Sequence, residues 1–280
     1  MLKRKLERKA AESDQLAPKV SMVPGIIISE LFGKPFWLRF YEIECNLNGE
    51  LDSFEKPPEI THIYNPIVYA ETLHSAYLRR YLNEPKKVIF IGMNPGPNGM
   101  CQTGVAFGNV KTVRDKMQIF GDVLQPPLLH SKRIIQGLDC KREEPSGVRL
   151  WDLFERLADG SLDIFSKQCF VHNFCPLAFF NEAGVNITPS ELKGSYKAQI
   201  RDACLRALDM QLELIKPQII IAVGDYVHGT LKKSTYCKKG VSVLRMAHPS
   251  PRSRNNNCWP EKAQAFLQEN DIIKFMRNQA

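Results

Sequence analysis

The sequence lacks the features that mark a secreted or membrane-bound protein. No apolar run reaches the roughly 20 residues that a membrane span needs, and no apolar segment follows the basic start as it would in a secretory signal. The eight cysteines form no C-x-x-C pair, so a disulfide framework or zinc ribbon is not expected, and no local spacing supports an iron–sulfur cluster. We therefore expect reduced thiols, no metal and no cofactor.

The charge of the chain is unbalanced toward the positive. Lys and Arg number 38 against 30 Asp and Glu, a net charge of +8 at pH 7. This favours a polyanion partner such as nucleic acid, although a solvated basic surface explains it equally well. Residues 1–20 are polar and densely charged, which indicates a mobile basic tail, either simply solvated or serving as a nuclear address or DNA-contacting arm. Residues 21–280 are expected to form a single domain.

Strand-like and helix-like segments alternate from about residue 64 onward. Runs rich in β-branched and aromatic residues predict buried strands at 87–93, 168–174, 218–224 and 241–247. Helical periodicity predicts helices at 65–82, 109–120 and 148–159. A capping box at Thr188 predicts a long helix that ends at about Leu214. Two further helices are predicted to begin at Asp225, as N-cap, and near Trp259. The alternation predicts an α/β fold, with three α/β/α layers around a central, mainly parallel four-stranded sheet.

Ligands of such sheets bind beyond the carboxyl ends of the strands. Those ends lead to Asn94, Asn173, Gly224 and His248. The glycine-rich loop at 92–108, GMNPGPNGMCQTGVAFG, lacks the Lys of a Walker loop, and its prolines interrupt a dinucleotide fingerprint. The predicted edge carries no carboxylate pair, metal cluster or evident Ser or Cys nucleophile. Amides and an imidazole suit a reaction in which the protein orients a water and stabilises a departing anion.

Three separated motifs carry a family resemblance. The segments GMNPGPNGMCQTGVAFG, VHNFCPLAFF and HPSPR resemble those of the single-strand-selective monofunctional uracil-DNA glycosylases, in the uracil-DNA glycosylase superfamily, over about residues 30–275. The resemblance implies a uracil-DNA glycosylase-like fold and a base-excision repair enzyme. Such an enzyme hydrolyses the N-glycosidic bond of uracil and of 5-substituted uracils, such as 5-hydroxymethyluracil, in single- and double-stranded DNA. It leaves an abasic site without strand cleavage.

The resemblance also implies roles for individual side chains. Asn94 matches the asparagine that positions the attacking water, and His248 matches the histidine that stabilises the uracil anion near O2. Phe107 matches the aromatic residue that stacks on the extracted base. Asn173 matches the asparagine that recognises N3 and O4 of the base. His172, its neighbour, is expected to point to the opposite face of the strand and to be structural.

Further pocket residues follow from the same resemblance. Backbone groups of Met93 and Gly96 are expected near C5 of the base, where a glycine leaves room for a 5-substituent. Asn98 and Ala106 stand where relatives have an aromatic residue and a proline. These two departures bear on the rigidity of the loop and on the substrate range.

A base cannot be reached inside a duplex, so it must be flipped out. The segment after His248 resembles the family's DNA wedge, made here of Pro249, Ser250, Pro251, Arg252 and Arg254. Arg252 is the expected inserting side chain and Arg254 a phosphate contact. Residues 256–258 replace a stretch containing Lys and Gly in relatives, which bears on the efficiency of the wedge on duplex DNA.

Other functions stay open at this stage. A glycosylase of the same fold with a shifted base preference, such as xanthine or hypoxanthine, fits the same motifs. A non-catalytic DNA-binding relative fits the charge, and a hydrolase of free nucleosides fits the site but not the basic wedge. We expect DNA as partner, no membrane, a nuclear location, and a monomer because no coiled coil or other association element is evident.

Overall fold

The computed structural model describes residues 33–253 and 256–280. The strands are β1 (His62–Tyr64), β2 (Val88–Gly92), β3 (Cys169–Asn173), β4 (Ala178–Phe180), β5 (Asn186–Ile187), β6 (Ile219–Val223) and β7 (Ser242–Met246). The α-helices are α1 (Phe36–Asp52), α2 (Pro66–Tyr69), α3 (Glu71–Tyr81), α4 (Met100–Thr103), α5 (Pro145–Leu157), α6 (Leu162–Gln168), α7 (Gly194–Ile215), α8 (Asp225–Leu231), α9 (Trp259–Glu269) and α10 (Ile273–Met276).

The central sheet has four strands in the order β3-β2-β6-β7, and every pair is parallel. All four are the strands that the sequence predicted, within two residues at each end. The register sets Gly92 opposite Asn173 and Val223 opposite Met246, so the carboxyl ends of the four strands lie at one edge. The prediction of an α/β fold around a parallel four-stranded sheet is confirmed.

Helices cover both faces of this sheet. Phe90 on β2 packs against Phe154 of α5, with ring centroids 4.5 Å apart. Phe170 on β3 stacks on Tyr77 of α3 at 5.4 Å. Because Phe90 is in register with Val171, the residue after Phe170, the two phenylalanines point to opposite faces. The two aromatic contacts therefore belong to the two outer layers of the predicted three-layer arrangement.

A second, smaller sheet was not predicted. It is antiparallel, has the strand order β1-β4-β5, and its strands are only two or three residues long. Tyr64 of β1 is fully buried, and its hydroxyl donates to the Arg133 carbonyl at 2.9 Å and accepts from the His130 N–H at 2.7 Å. This sheet thereby anchors the long connection between β2 and α5, which supplies part of the candidate site.

The predicted helix at 109–120 is wrong. Only a five-residue π-helical turn, Thr112–Lys116, forms there, and irregular chain follows. Gln118 adopts a left-handed conformation with φ of 50°, which a continuing helix does not allow. The predicted helix at 65–82 is present but broken at Ala70, between α2 and α3.

The helix predicted from Thr188 begins later than expected. The capping interaction itself exists, since Glu191 accepts a hydrogen bond from the Thr188 N–H at 2.8 Å. It closes an isolated turn, after which Lys193 is extended and Gly194 has a φ of 58°. A glycine in this conformation interrupts the chain, so α7 starts only at Gly194.

The interpretation of Asp225 as an N-cap is also wrong. Gly224, with a φ of 98°, occupies the cap position, and Asp225 is the first residue of α8. Its carboxylate instead pairs with Arg245 on the neighbouring strand β7.

Some expectations lie outside the described residues. These include the basic tail at 1–20 and Arg254. Within the described ranges, no helix is long and apolar enough to cross a membrane. All eight cysteines are free thiols.

Candidate active site

The predicted site residues meet at the carboxyl edge of the sheet. Pairing of β2 and β3 continues one step past the strands, because the Cys175 N–H donates to the Met93 carbonyl at 2.9 Å. A cleft of about 630 Å³ opens beside this edge. The expected residues that line it are Met93, Asn94, Gly96, His248, Ser250, Pro251 and Arg252.

Asn94 follows β2 and is oriented by one hydrogen bond. Its Nδ2 donates to the Leu177 carbonyl at 3.2 Å. Since the amide nitrogen is engaged as a donor, Oδ1 is the atom that a water proton can approach. The side chain is therefore held as an acceptor at the wall of the cleft.

Asn173 ends β3 and is almost completely buried. Its Nδ2 lies 3.2 Å from the Met100 sulfur, while its Oδ1 is buried without a hydrogen-bond partner. An unpaired buried carbonyl oxygen is costly, and a ligand that donates to it removes that cost. The amide thus has one strong acceptor that no protein group satisfies, behind the cleft wall.

Phe107 lies beside this amide rather than in the cleft wall. A side chain at Gly92 would overlap both the Phe107 ring and Asn173 Oδ1, so only glycine allows the two groups to converge here. The ring centroid stands 5.8 Å from that of His248. Phe107 and Asn173 therefore form an inner layer behind the cleft, next to His248.

The backbone of Phe107 is in the left-handed region, with φ of 54°. Such a conformation costs a non-glycine residue energy and persists only where neighbours enforce it. The Phe107 carbonyl accepts from the Asn109 N–H at 2.9 Å. Gly147 in α5 approaches the same carbonyl so closely that any larger residue would collide with it. Helix α5 thereby fixes the aromatic ring in its position.

His248 follows β7, and its surroundings set both its pKa and the position of its ring proton. Burial lowers the pKa of His248 to about 4, so the imidazole is neutral at physiological pH. The Ser250 N–H donates to Nδ1 at 3.1 Å, which places the single ring proton on Nε2. The site therefore presents a neutral hydrogen-bond donor where the fold brings the four strands together.

The segment expected to act as a wedge follows His248. Pro249 is buried, whereas Pro251 and Arg252 are exposed. Asn256 is 5% exposed, and its amide donates to the carbonyls of His248 at 2.8 Å and Ser250 at 2.6 Å. A residue that differs from the family pattern is thus the internal brace of this loop.

Arg149 and Glu144 are site residues that sequence reasoning missed. Arg149 donates to the carbonyls of Pro249 and Asn256, at 3.3 and 3.2 Å, and so ties the loop to α5. Glu144 precedes α5 and lines the cleft. Burial raises the pKa of Glu144, while the Asn98 N–H and the charge of Arg252 oppose that rise. No strand end or motif marks either residue in the sequence.

In the part of the chain that the structure describes, no three His, Cys, Asp or Glu side chains are grouped as metal ligands. The polar groups at the cleft are instead amides, a neutral imidazole, the half-buried carboxylate of Glu144 and the charged groups of Arg133, Glu191 and Arg252. Such a set can hold a flat polar molecule, orient water and donate to an anion.

Comparison with known proteins gives this geometry a family. Residues 79–269 match the model of the uracil DNA glycosylase superfamily. The chain belongs to this superfamily. It is 38% identical to the single-strand selective monofunctional uracil-DNA glycosylase of Rattus norvegicus, over 96% of this chain and 97% of that one. It is 40% identical to the Mus musculus protein of the same name, over 86% of each chain.

Within the superfamily, the chain is a member of the single-strand selective monofunctional uracil-DNA glycosylases, as the sequence motifs predicted. The fold is also that of a crystal structure, wild-type Pedobacter heparinus SMUG2, with a TM-score of 0.58. That likeness covers 83% of this chain and 98% of the other at 21% identity. It supports the architecture alone.

Proposed function

We propose that this member of the family hydrolyses the N-glycosidic bond of uracil and of 5-substituted uracils, including 5-hydroxymethyluracil, in single- and double-stranded DNA. The products are the free base and an abasic site, as base-excision repair requires. One observation carries the proposal. A neutral Nε2–H donor on His248 and an acceptor on Asn173 that lacks a hydrogen-bond partner both lie beside the Phe107 ring.

Base selection follows from the amide of Asn173. Its Oδ1 accepts from N3–H of uracil and its Nδ2 donates to O4. Cytosine carries the opposite pattern at these positions and leaves the buried amide unpaired, at a cost of about 1–3 kcal/mol for each group. The ring of Phe107 stacks on the base and completes its binding.

Leaving-group stabilisation falls to His248. As the C1′–N1 bond lengthens, negative charge develops on the base and is shared with O2. The neutral Nε2–H donates to O2 in a site that is largely shielded from water, where such a bond is strongest. Because the ring is not charged beforehand, His248 itself is not a cation that would attract the phosphate backbone instead.

Water attack completes the reaction. The sugar becomes cationic at C1′ as the base departs, so a strong base is not needed to activate the nucleophile. Asn94 Oδ1 accepts a hydrogen bond from the water and directs its oxygen toward C1′. The proton that the water loses on attack is taken up through solvent by the departing uracil anion. Among the described residues that line the cleft there is no lysine, which supports hydrolysis without a Schiff base or strand cleavage.

DNA contact is assigned to the basic surface and to the loop after His248. Exposed Arg252 stands at the mouth of the cleft and fills the space that a flipped base leaves in a duplex. Arg254 is proposed to contact a phosphate. Because genomic DNA is repaired in the nucleus, we propose a nuclear location, and we propose that the protein acts as a monomer.

The experiment uses a labelled single-stranded oligonucleotide with one uracil, incubated with the protein and then divided. Half is heated in alkali, and we expect a break at the uracil only in that half. A His248→Ala variant should bind the oligonucleotide but release base about 100- to 1000-fold more slowly, the usual effect of losing one such donor. A break without alkali would contradict monofunctional hydrolysis.

Three other outcomes would each identify a different function. If uracil is not released while oligonucleotides containing xanthine or hypoxanthine are cut, the base preference is shifted. Binding with no cleavage of any of these would identify a non-catalytic relative. Release of uracil from free deoxyuridine at the same rate as from DNA would identify a nucleoside hydrolase.

A further inference from the structure

Glu144 is a carboxylate inside a cleft that must bind a polyanion. It lies immediately before α5, and its N–H donates to Asn109 Oδ1 at 3.0 Å. The nearby Asn98 N–H stabilises the charged form of its carboxylate and so opposes the rise of its pKa that burial causes. A half-buried carboxylate that lacks an ion-pair partner among the described residues costs the folded protein free energy. In a binding cleft, such a group indicates a function.

The side chain lies directly over the segment 96–99. A Cβ at Gly96 would come within 2.5 Å of Glu144 Oε2, and one at Gly99 within 2.8 Å of Cγ. The two glycines thus form the floor on which this carboxyl group rests. The first of them lines the same cleft as Asn94 and His248.

The orientation of the base, taken from the proposed function, sets what faces this carboxylate. With His248 at O2 and Asn173 at N3 and O4, C5 is the ring atom opposite C2 and next to C4. Asn173 Nδ2, the donor to O4, lies 3.2 Å from the Met100 sulfur, and Met100 directly follows Gly99. The neighbour of C4 in the ring therefore faces the 96–100 segment, which Glu144 covers.

We propose that the Glu144 carboxylate is the acceptor for a hydrogen-bond donor carried on C5 of the base. This inference rests on the proposed function and assigns its selectivity for 5-substituents. An ionised carboxylate only accepts hydrogen bonds, so it binds the O–H of a 5-hydroxymethyl group. The methyl group of thymine cannot donate and would bury the carboxylate unpaired, whereas the hydrogen at C5 of uracil leaves room for water.

The Asn98 departure is compatible with this role. The contact to Glu144 comes from the backbone N–H of residue 98, so replacing the family's aromatic side chain leaves it in place. The charge of Arg252 acts on the same carboxylate. Arg252 is exposed, and its positive charge partly offsets that of the carboxylate at the cleft mouth.

The test compares single-turnover kcat/KM of wild type and Glu144→Gln on single-stranded DNA with uracil, 5-hydroxymethyluracil or 5-formyluracil. Each variant's rate is divided by the wild-type rate on the same base, which cancels differences in leaving-group acidity. We expect the 5-hydroxymethyl rate to fall about tenfold or more relative to uracil, as for loss of a charge-assisted hydrogen bond. The 5-formyl rate should rise or hold relative to uracil, because its oxygen only accepts and the new amide can donate.

A change of both ratios in the same direction, or of neither, would overturn the inference, since a general loss of loop position cannot separate donor from acceptor. Glu144→Asp serves as the second variant if the first does not fold. It retains the charge but withdraws it by one methylene, so the 5-hydroxymethyl ratio should fall by less than about tenfold and the 5-formyl ratio should not rise. If the wild-type protein releases no uracil, the proposed glycosylase function is contradicted. That outcome differs from unchanged substrate ratios in an active enzyme, which would contradict only the role of Glu144.

Discussion

The Ser250 N–H donates to Nδ1 of His248 at 3.1 Å, two residues along the same loop. The bond uses a backbone donor, so it persists whatever side chain follows the histidine. It also fixes which nitrogen carries the proton, because a protonated Nδ1 would face another N–H. Burial and this backbone donor therefore act together to keep His248 neutral and Nε2 as the donor.

This arrangement predicts the pH dependence of the reaction. The pKa of His248 is lowered to about 4, so the free enzyme keeps the neutral ring as pH falls from about 8 to about 5. Single-turnover kcat/KM on single-stranded DNA should be level over that range and fall below about pH 4. A loss centred near 6.5, the ordinary value for histidine, would contradict this reading. His248→Ala should retain a slow rate without that acid limb.

Gly92 offers a test of how Asn173 and Phe107 are brought together. In Gly92→Ala the added methyl overlaps both groups, so we expect unfolding free energy to fall by about 1–3 kcal/mol. Base release should fall further than this loss of folded protein explains, because the amide and the ring are displaced from each other. Urea denaturation and single-turnover kinetics of the same preparations separate the two effects.

Gly49→Ala is the matched control for this substitution. Gly49 lies within α1, and a Cβ there meets nothing within 4 Å. Helix propensity then predicts a gain of up to about 1 kcal/mol with unchanged base release. If Gly92→Ala behaves like Gly49→Ala, the convergence at Gly92 is not needed for the reaction.

The parallel sheet could be predicted from sequence because β2, β3 and β6 are buried on both faces and are rich in apolar residues. Its topology then placed Asn94, Asn173 and His248 at one edge, since parallel strands share their carboxyl ends. These parts of the site depend on local pattern and on a general rule of α/β folds. They required no knowledge of individual contacts.

What the sequence did not reveal depends on contacts between distant segments. Glu144 belongs to no strand end, and its position follows from packing on the glycines at 96 and 99. The helix expected at 109–120 ends early because Gln118 is in a left-handed conformation, directly after Met117, whose carbonyl accepts from the distant Arg80. Hydrophobic periodicity registers neither feature. Asn256 looked like a loss to the wedge, yet its amide closes the loop by two backbone hydrogen bonds.

A buried ion pair behind the glycine loop predicts a dependence of stability on pH. His74 Nε2 lies 2.8 Å from Glu44 Oε2, and its Nδ1 lies 2.8 Å from the Gly104 carbonyl. Burial alone would lower the pKa of His74, but the Glu44 carboxylate outweighs it and the pKa is raised. A raised value means that the native state holds a proton that the unfolded chain releases above about 6.5. Unfolding free energy should therefore decline as pH increases beyond that point.

Glu44→Gln checks the origin of this decline. The variant should be less stable by about 3 kcal/mol at pH 6, as when one partner of a buried pair is removed, and its stability should no longer fall toward alkaline pH. Glu143→Gln, which breaks an exposed pair with Lys111, is the control and should follow wild type. Identical alkaline slopes for wild type and Glu44→Gln, measured by urea denaturation, would assign the effect to another group.

The proposed wedge role of Arg252 predicts different effects of its loss on duplex and on single-stranded DNA. A base flipped from a duplex leaves a gap in the stack, whereas a single strand has no partner strand to close over the site. In Arg252→Ala, kcat/KM on uracil in a duplex should fall about tenfold or more, and on a single strand clearly less. Arg156→Ala removes the same charge from a residue that does not line the cleft, and it should affect both substrates slightly and equally. Equal losses for Arg252→Ala on both substrates would make this side chain a phosphate contact and not a wedge.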